Sequence, residues 1–460
     1  MPFTQPNAEP DTNWFSDGIT RELTRALGRN ATLRVTAWHS AARYRDSAEP
    51  PAAIGNALHA DFLLRGTLLR RNDQIVLFAE LIDARSGRTV WSNSFSNSYA
   101  AVPTTEAHIA QDVAVALHVT PARTHATPTI DPRAHDLLLE ARAVLWSAHS
   151  AKEAAAARRL LEKAIALAPG YAEARAVLAQ AWMDIVLHAP MTMQQAAALP
   201  QARAEAQRAL VLDPDNFDAL YALGNADFNE HDPQQARIEY ARAAAVDPSD
   251  ALVHMALGDL ATSLASVQQQ FAIAAQLDPF NAAVQNNLAD AWLDLGRYRR
   301  ALPAATAYWG LQPRNIDADY LLALNESLLH DNQAAVNAFN WVPPRSGFYR
   351  QLASAGRLAY RSILDPKLRP KALAAVDALK QWSSLDPTST ADLFQAELVV
   401  GEKNAVLAEL PGLCSRSPIS CADLGSFPLW LTLHGTPSFE ALVKKYDTTS
   451  QSPLSASPPQ

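Results

Sequence analysis

The stretch from Asn281 to Pro313, NAAVQNNLADAWLDLGRYRRALPAATAYWGLQP, decides the fold of this chain. Its apolar residues recur at helical spacing and predict two short amphipathic helices. Gly296 is expected to end the first helix, because a left-handed residue costs little without a Cβ, and Pro313 cannot continue the second. The facing positions are Leu288, Ala289 and Trp292 on the first helix and Ala301, Ala305 and Tyr308 on the second.

The closing proline recurs along the chain, usually after an apolar residue and an Asp. The intervals are 45, 34, 31, 34 and 74 residues, which indicates a repeat of about 34 residues. The first interval holds one unit and an insertion near His188–Gln195, and the last holds two degenerate units separated near Trp341–Pro344. The prolines are Pro169, Pro214, Pro248, Pro279, Pro313 and Pro387.

The order of Leu, small, aromatic, Gly, Ala, Ala, aromatic and Pro in the quoted stretch resembles a tetratricopeptide repeat (TPR). Leu223-Gly224 and Leu257-Gly258 repeat the Leu-small pair of Leu288-Ala289. One such unit cannot bury its own apolar face, so neighbouring units must stack. The resemblance therefore implies an all-α TPR solenoid.

The segment before the repeats has a different pattern. Helical stripes occur at Ile19, Leu23 and Leu27 and again near Ile54 and Leu58, and a third helix follows at Ile109–Leu117. Alternation predicts a short strand at Leu33–Ala37 and a three-strand meander at Asp61–Arg71, Ile75–Asp83 and Thr89–Phe95, with turns at Asn72-Asp73 and Arg85–Gly87. These elements predict an α+β domain with helices against a mixed sheet.

This segment resembles the TolB-like domain that precedes TPR arrays in bacterial regulators and in some cyclases and kinases. In such domains a buried strand leads into Pro2-Phe3, so either this domain tolerates a ragged end or Met1 lies inside a longer reading frame. The matching marks are Phe15–Thr20, Ile54-Gly55, Leu58, Leu64–Leu68, Leu81–Ala84, Gly87, Trp91-Ser92 and Ile109–Asp112.

The sequence thus predicts an α+β amino-terminal domain followed by an all-α TPR solenoid. The TolB-like domain is expected at 1–119, a polar linker at 120–130, the solenoid at 131–446 and a disordered tail at 447–460.

Composition limits the classes of function. A net charge of −8 disfavours nucleic-acid binding by this chain alone. No run approaches the ~20 apolar residues of a membrane span, and residues 1–20 lack a signal peptide pattern. The chain is therefore expected in the cytoplasm as written. It would lie in the periplasm as the distal part of a membrane-anchored regulator, with membrane contact only through a segment upstream of residue 1.

Catalytic and metal-binding patterns are scarce. The 12 histidines are scattered, and the His-x-x-x-His, Cys-x-x-Cys, Gly-x-Ser-x-Gly and phosphate-loop spacings do not occur, so we expect no cofactor, no metal and no enzyme activity. Asp17 is expected to cap a helix, and Glu22 and Arg25 are expected on a solvated face. In an oxidising compartment, Cys414 and Cys421 are expected to form a disulfide, whereas in a reducing cytoplasm they would be two free thiols.

The first helices of TPR units line a concave groove, which is the expected place for function. Here the register brings Asn, Asp, aromatic and Met side chains to that groove, Asp218 among them, whereas Lys and Arg that would clamp a terminal carboxylate are absent. The alternative is that these side chains are only solvated. The predicted partner-binding residues are Tyr221, Asn225, Met255, Asp259, Asn286 and Asp290.

Two functions fit these observations. The first is a non-enzymatic interaction or sensory module of a bacterial signalling or transcription regulator, which binds partner peptides or proteins in the groove. The second is a stand-alone scaffold for a cell-envelope or cytoplasmic complex. A module that regulates a fused cyclase or kinase differs from the first only in its missing partner.

Overall fold

A computed structural model describes residues 1–6, 13–71, 74–98, 101–121, 130–146, 150–188, 193–339, 347–381, 387–417 and 421–447. The predicted turn at Asn72-Asp73, most of the linker, the Trp341–Pro344 boundary and the tail from Thr448 lie outside these residues.

The described residues of the amino-terminal part form seven elements. They are α1 (Asn13–Gly28), α2 (Trp38–Ala42), α3 (Pro51–Leu58), β1 (Phe62–Arg71), β2 (Gln74–Asp83), β3 (Thr89–Ser98) and α4 (Val102–Ala116). The predicted helices and the three-strand meander are confirmed. Leu33–Ala37 is not a strand, because Val35 donates its N–H to Ser249 Oγ (3.1 Å) and Ala37 donates to the Leu277 carbonyl (2.7 Å).

The sheet has the order β1-β2-β3, and both pairs are antiparallel. Residues before α1 add a parallel bridge between Thr4 and Thr67, so among the described residues the predicted mixed character is found at the edge of β1. Gly66 is needed there, since a Cβ would lie 2.9 Å from the Phe3 ring. One face of β2 packs with α1 and α4 in a core that includes Ile19, Leu77 and other buried residues.

The remaining helices are short and follow one another closely. They are α5 (Pro132–Trp146), α6 (Ala151–Leu167), α7 (Ala172–His188), α8 (Met193–Leu212), α9 (Phe217–Asn229), α10 (Pro233–Val246), α11 (Ala251–Asp259), α12 (Leu264–Leu277), α13 (Ala282–Asp294), α14 (Tyr298–Leu311), α15 (Ile316–Leu328), α16 (Asn332–Ala338), α17 (Phe348–Leu364), α18 (Arg369–Asp377), α19 (Pro387–Val400), α20 (Lys403–Arg416) and α21 (Pro437–Tyr446). Many of them pack in pairs as hairpins, such as α5 with α6, α7 with α8, α9 with α10 and α13 with α14. Within the described residues, no helix is both long enough and apolar enough to cross a membrane.

The quoted stretch forms α13 and α14 as predicted. Asn281 caps α13, with its side chain accepting from two backbone N–H groups, and Gly296 follows the helix in the left-handed region with φ 66°. The small residues at the contact are buried, while Leu288 is only half-buried against the same core. The buried small residues are Ala289, Ala301 and Ala305.

The chain divides into two compact units. The first unit contains Met1–Leu260 with Gln276–Pro279, and the second contains Ala261–Ala275 with Phe280–Gln460. The first unit includes the sheet and the helices α5–α11, and the second contains α13–α21. The domain limits derived from the sequence stay a prediction.

Cys414 and Cys421 are joined in the second unit, with an Sγ–Sγ distance of 1.99 Å. Both residues are fully buried in a core with Trp430 and Phe439. The short C-terminal segment 421–447 is thus attached to the end of α20 by the disulfide and by apolar packing.

Reduction of this disulfide in protein prepared under oxidising conditions is expected to lower the free energy of unfolding of the second unit by about 2–3 kcal/mol. The bond closes a short loop, and loop closure restricts the unfolded chain. Peptide mapping without reductant should find Cys414 linked to Cys421, and denaturation with and without reductant should show the loss. Two free thiols in the oxidised preparation would contradict the pairing.

Candidate interaction surfaces

In the first unit, the helices α5, α7 and α9 are the first members of successive hairpins, and they pack side by side. We call the surface that these three helices form around Asp218 the first-helix face. The predicted groove register placed Asp218 on this face. Helix α1 of the amino-terminal part packs against the first-helix face.

Asp218 is the centre of that contact. It lies in the first turn of α9 and is 2% exposed. Its carboxylate accepts hydrogen bonds from Arg25 of α1 (2.5 Å), Arg142 of α5 (2.8 Å) and Gln180 of α7 (2.9 Å). Burial alone would raise the pKa of Asp218, but the positive charges of Arg25 and Arg142 outweigh it and hold the pKa below its ordinary value.

Two further charged residues of α1 enter the same contact. Glu22 forms an ion pair with Arg142, which is itself only 5% exposed. The Arg21 guanidinium lies between the rings of Trp38 and Trp146, 3.6 Å and 3.1 Å from their centroids. This geometry allows a cation–π interaction on both faces of the guanidinium.

The expectation that Glu22 and Arg25 face solvent was therefore wrong, because their side chains lie in the contact with the repeats. Asp17 does not cap α1 either; it lies within the helix and pairs with Arg45. Sequence reasoning missed this because both partners of each pair lie far apart in the chain, as Arg25 and Asp218 do at a separation of 193 residues.

The contact continues beyond the end of α1. Gly28 packs against Asp247, whose carboxylate occupies the space that a Cβ would need. Burial and the nearby charge of Asp250 raise the pKa of Asp247 to about 7. Ser249 donates to the Leu33 carbonyl at 3.1 Å, and Ser40 donates to Asp278 at 2.5 Å.

The predicted groove residues of the first unit lie on α9 and α11. The Tyr221 ring stacks on Phe217, with centroids 6.0 Å apart, and meets the Tyr240 ring at 5.6 Å. Asn225 Oδ1 accepts a hydrogen bond from Tyr240 Oη at 2.6 Å, so this amide already has an internal role. Met255 is half-buried and Asp259 is exposed.

The predicted groove residues of the second unit lie on α13. Asn286 donates from Nδ2 to Asp290 Oδ2 at 3.2 Å. Burial, together with repulsion from Asp423, raises the pKa of Asp290 to about 7 against the opposing effect of the Asn286 hydrogen bond.

The C-terminal segment 421–447 contacts the same helix one turn further on. Ser426 donates from Oγ to Asp294 Oδ1 at 3.1 Å, and the Gly425 N–H donates to Asp447. Burial and repulsion from Asp423 raise the pKa of Asp294, and burial and repulsion from Asp447 raise the pKa of Asp423. This contact could not be predicted from local sequence patterns, since its two sides are 132 residues apart.

A cavity of about 640 Å³ lies within the amino-terminal part. Its wall mixes apolar and polar side chains and combines residues of α1, the end of α3, the start of β1 and the end of α4, including Leu27, Leu58, Leu64 and Leu117. The Met1 amino group borders this cavity and donates to the Leu64 carbonyl at 3.0 Å, and burial lowers its pKa to about 6. Among the described residues, no group of three or more His, Cys, Asp or Glu side chains could hold a metal ion.

This geometry defines an α-helical repeat protein with a small α+β part at its amino-terminal side. No family model matches the chain. A curated protein of Rhizobium meliloti (strain 1021), named putative adenylate cyclase 3, is 26% identical over 185 residues. The match covers 39% of this chain and 31% of that protein, so this chain spans less than a third of its relative.

Solved structures with similar helical arrangements include several TPR proteins. Pseudomonas aeruginosa PilF is 17% identical with a TM-score of 0.38, covering 45% of this chain and 89% of PilF. A TPR protein from Parabacteroides merdae is 13% identical with a TM-score of 0.39, covering 58% and 97%. Yeast Tom70 is 16% identical with a TM-score of 0.35, covering 65% and 70%. The fold assignment of this chain rests on the helix hairpins described above.

Proposed function

We propose that this chain is a non-enzymatic protein-interaction module that binds partner polypeptides on the first helices of its repeats. The observation that carries the proposal is Asp218, a buried carboxylate on the first-helix face that holds an arginine from a helix 193 residues away. A face that already binds one helix through buried charge pairs has the chemistry needed to bind another.

The proposed setting is a bacterial signalling or transcription regulator. The resemblance of residues 1–119 to TolB-like domains and the partial match to a protein named as an adenylate cyclase both support a module within a larger signalling protein. A stand-alone assembly scaffold is the alternative, and it would use the same faces of the repeats.

Each unit offers its own candidate surface. In the first unit, Tyr221 and Met255 supply apolar area, and Asp259 supplies an exposed negative charge that favours a basic or neutral ligand. In the second unit, Asn286 and Asp290 supply polar groups. Amides can both donate to and accept from a peptide backbone, whatever its sequence.

Selection of a displayed random-peptide library on the immobilised chain tests the proposal. We expect the selected peptides to lose at least about tenfold in affinity, or about 1.4 kcal/mol, towards Met255→Ala with Asp259→Ala or towards Asn286→Ala with Asp290→Ala. Asn337→Ala is the control, because Asn337 is exposed and accepts a hydrogen bond from Gln333 on its own helix. Failure to select any peptide, or equal binding to every variant, would reject the proposed function.

A further inference from the structure

The helix that occupies the first-helix face carries a charge pattern that matches the face residue by residue. Arg21 and Arg25 are four positions apart and so share one side of α1. Arg25 meets Asp218 and Arg21 meets the Trp146 ring, while Glu22 meets Arg142 between them. The face therefore complements the pattern Arg-Glu-x-x-Arg on a helix.

The face is acidic around this pattern as well. Burial alone would lower the pKa of Arg25, but Asp218, which pairs with its guanidinium, and the charges of Glu173, Asp250 and Asp247 outweigh burial and raise that pKa. On the other side of the contact, Leu139 of α5 is fully buried and belongs to the core that contains α1. An arginine-bearing amphipathic helix, with apolar residues that cover Leu139, is thus the ligand that this surface fits.

We propose that the first-helix face is a receptor for helices of this pattern and that α1 is its internal ligand, which a partner helix bearing Arg-Glu-x-x-Arg must displace. The inference rests on the proposed interaction role and names the chemistry of the partner. In this proposal the amino-terminal domain competes with the partner, because α1 occupies the first-helix face until a partner helix displaces it.

The competition follows from the covalent connection. A tethered helix acts at an effective concentration on the order of millimolar, so a free helix of equal intrinsic affinity binds the intact chain only weakly. Loss of one contact made by α1 weakens the binding of α1 to the first-helix face and leaves the face itself unchanged. A free helix should then bind more tightly to the altered chain than to the native one.

The test uses the full chain and a fluorescent synthetic peptide with the sequence of α1, Asn13–Gly28. Fluorescence anisotropy should show at least tenfold tighter binding of this peptide to Arg25→Gln than to the unaltered chain. Addition of Asp218→Asn to the Arg25→Gln chain should remove that binding. A peptide with glutamine in place of both Arg21 and Arg25 should bind neither chain.

Arg133→Gln is the matched control, because Arg133 is an exposed arginine of α5 that pairs locally with Asp131. It should bind the peptide like the unaltered chain. Circular dichroism checks that each variant is folded, and Glu22→Gln, which removes the charge that pairs with Arg142, replaces Arg25→Gln if the latter is not.

Equal affinity of the peptide for the Arg25 variant and the unaltered chain, or no binding to either, overturns the inference. These results leave the library selection untouched, since that experiment concerns Met255, Asp259, Asn286 and Asp290. If selected peptides bind while the α1 peptide does not, the proposed function stands and the internal-ligand inference falls.

Discussion

Asp218→Ala is expected to lower the free energy of unfolding of the first unit by about 3–5 kcal/mol, the usual cost of removing one partner from a buried ion pair. The substitution leaves Arg142, which is 5% exposed, without one of its two carboxylate partners, and it leaves Arg25 without its hydrogen-bond partner. Gln180 loses an acceptor as well. The cost arises from arginine charges that remain buried after their counter-charge is gone.

Hydrogen exchange under native conditions is the appropriate measurement, because a chain with two units need not unfold in one step. The amides of α1, α5 and α9 should lose protection together. Asp215→Ala is the control: Asp215 is exposed three residues before Asp218, and its removal should change stability by no more than about 0.5 kcal/mol. Equal protection in the two variants would show that the Asp218 cluster does not hold α1.

Local features of the fold were predictable from the sequence. Each helix hairpin is specified by residues within about 34 positions, so the stripe of Ala289 and Ala301 and the stop at Gly296 could be located without knowledge of the rest of the chain. The predicted cap Asp17 lies inside α1, whereas other residues, which were not predicted as caps, have side chains that accept hydrogen bonds from the first turn of the next helix. These caps include Asn216, Asp232, Asp250, Asn281, Asn315 and Asp331.

The contact between the amino-terminal part and the repeats could not be predicted in the same way. Leu33–Ala37 alternates like a strand, but its backbone donors Val35 and Ala37 bind a serine and a carbonyl of the repeats. Glu22 and Arg25 look like surface residues of an amphipathic helix because helical periodicity cannot show what lies opposite. Only the pairing of distant segments reveals that this second stripe of α1 is partly covered by the repeats.

The candidate groove shows the same limit. The repeat register correctly predicts that Asp218 and Tyr221 lie on first helices, yet it cannot show which side chains already have partners. Asn225 illustrates this, since its amide oxygen accepts from Tyr240. An Asn225→Ala substitution would leave a partly buried tyrosine hydroxyl without its acceptor, so a change in binding could reflect packing. Met255 and Asp259 are better sites for testing the first unit.

The second unit is expected to lose stability as the pH rises from about 5 to about 9, with the C-terminal segment affected most. Burial, followed by repulsion from Asp423, raises the pKa of Asp294 and raises that of Asp290 to about 7. Burial, followed by repulsion from Asp447, raises the pKa of Asp423. The folded unit therefore holds protons that the unfolded chain releases above about pH 4. The stabilisation is complete below that pH and is lost as the pH passes through the raised values.

The free energy of unfolding falls by about 1.4 kcal/mol for each pH unit over which one such carboxyl is protonated in the folded chain but not in the unfolded chain. Asp294→Asn should flatten the profile, because its amide oxygen can still accept from Ser426 Oγ but carries no charge to repel Asp423. Asp377→Asn is the matched control. That carboxylate is 62% exposed, so its replacement should leave the profile unchanged.

The measurement is hydrogen-exchange protection of the amides from 425 to 447, corrected for the intrinsic rate at each pH. Protection that increased with pH in the unaltered chain would show that these carboxyls are charged in the folded unit, and that the segment is held by contacts other than the protonated cluster.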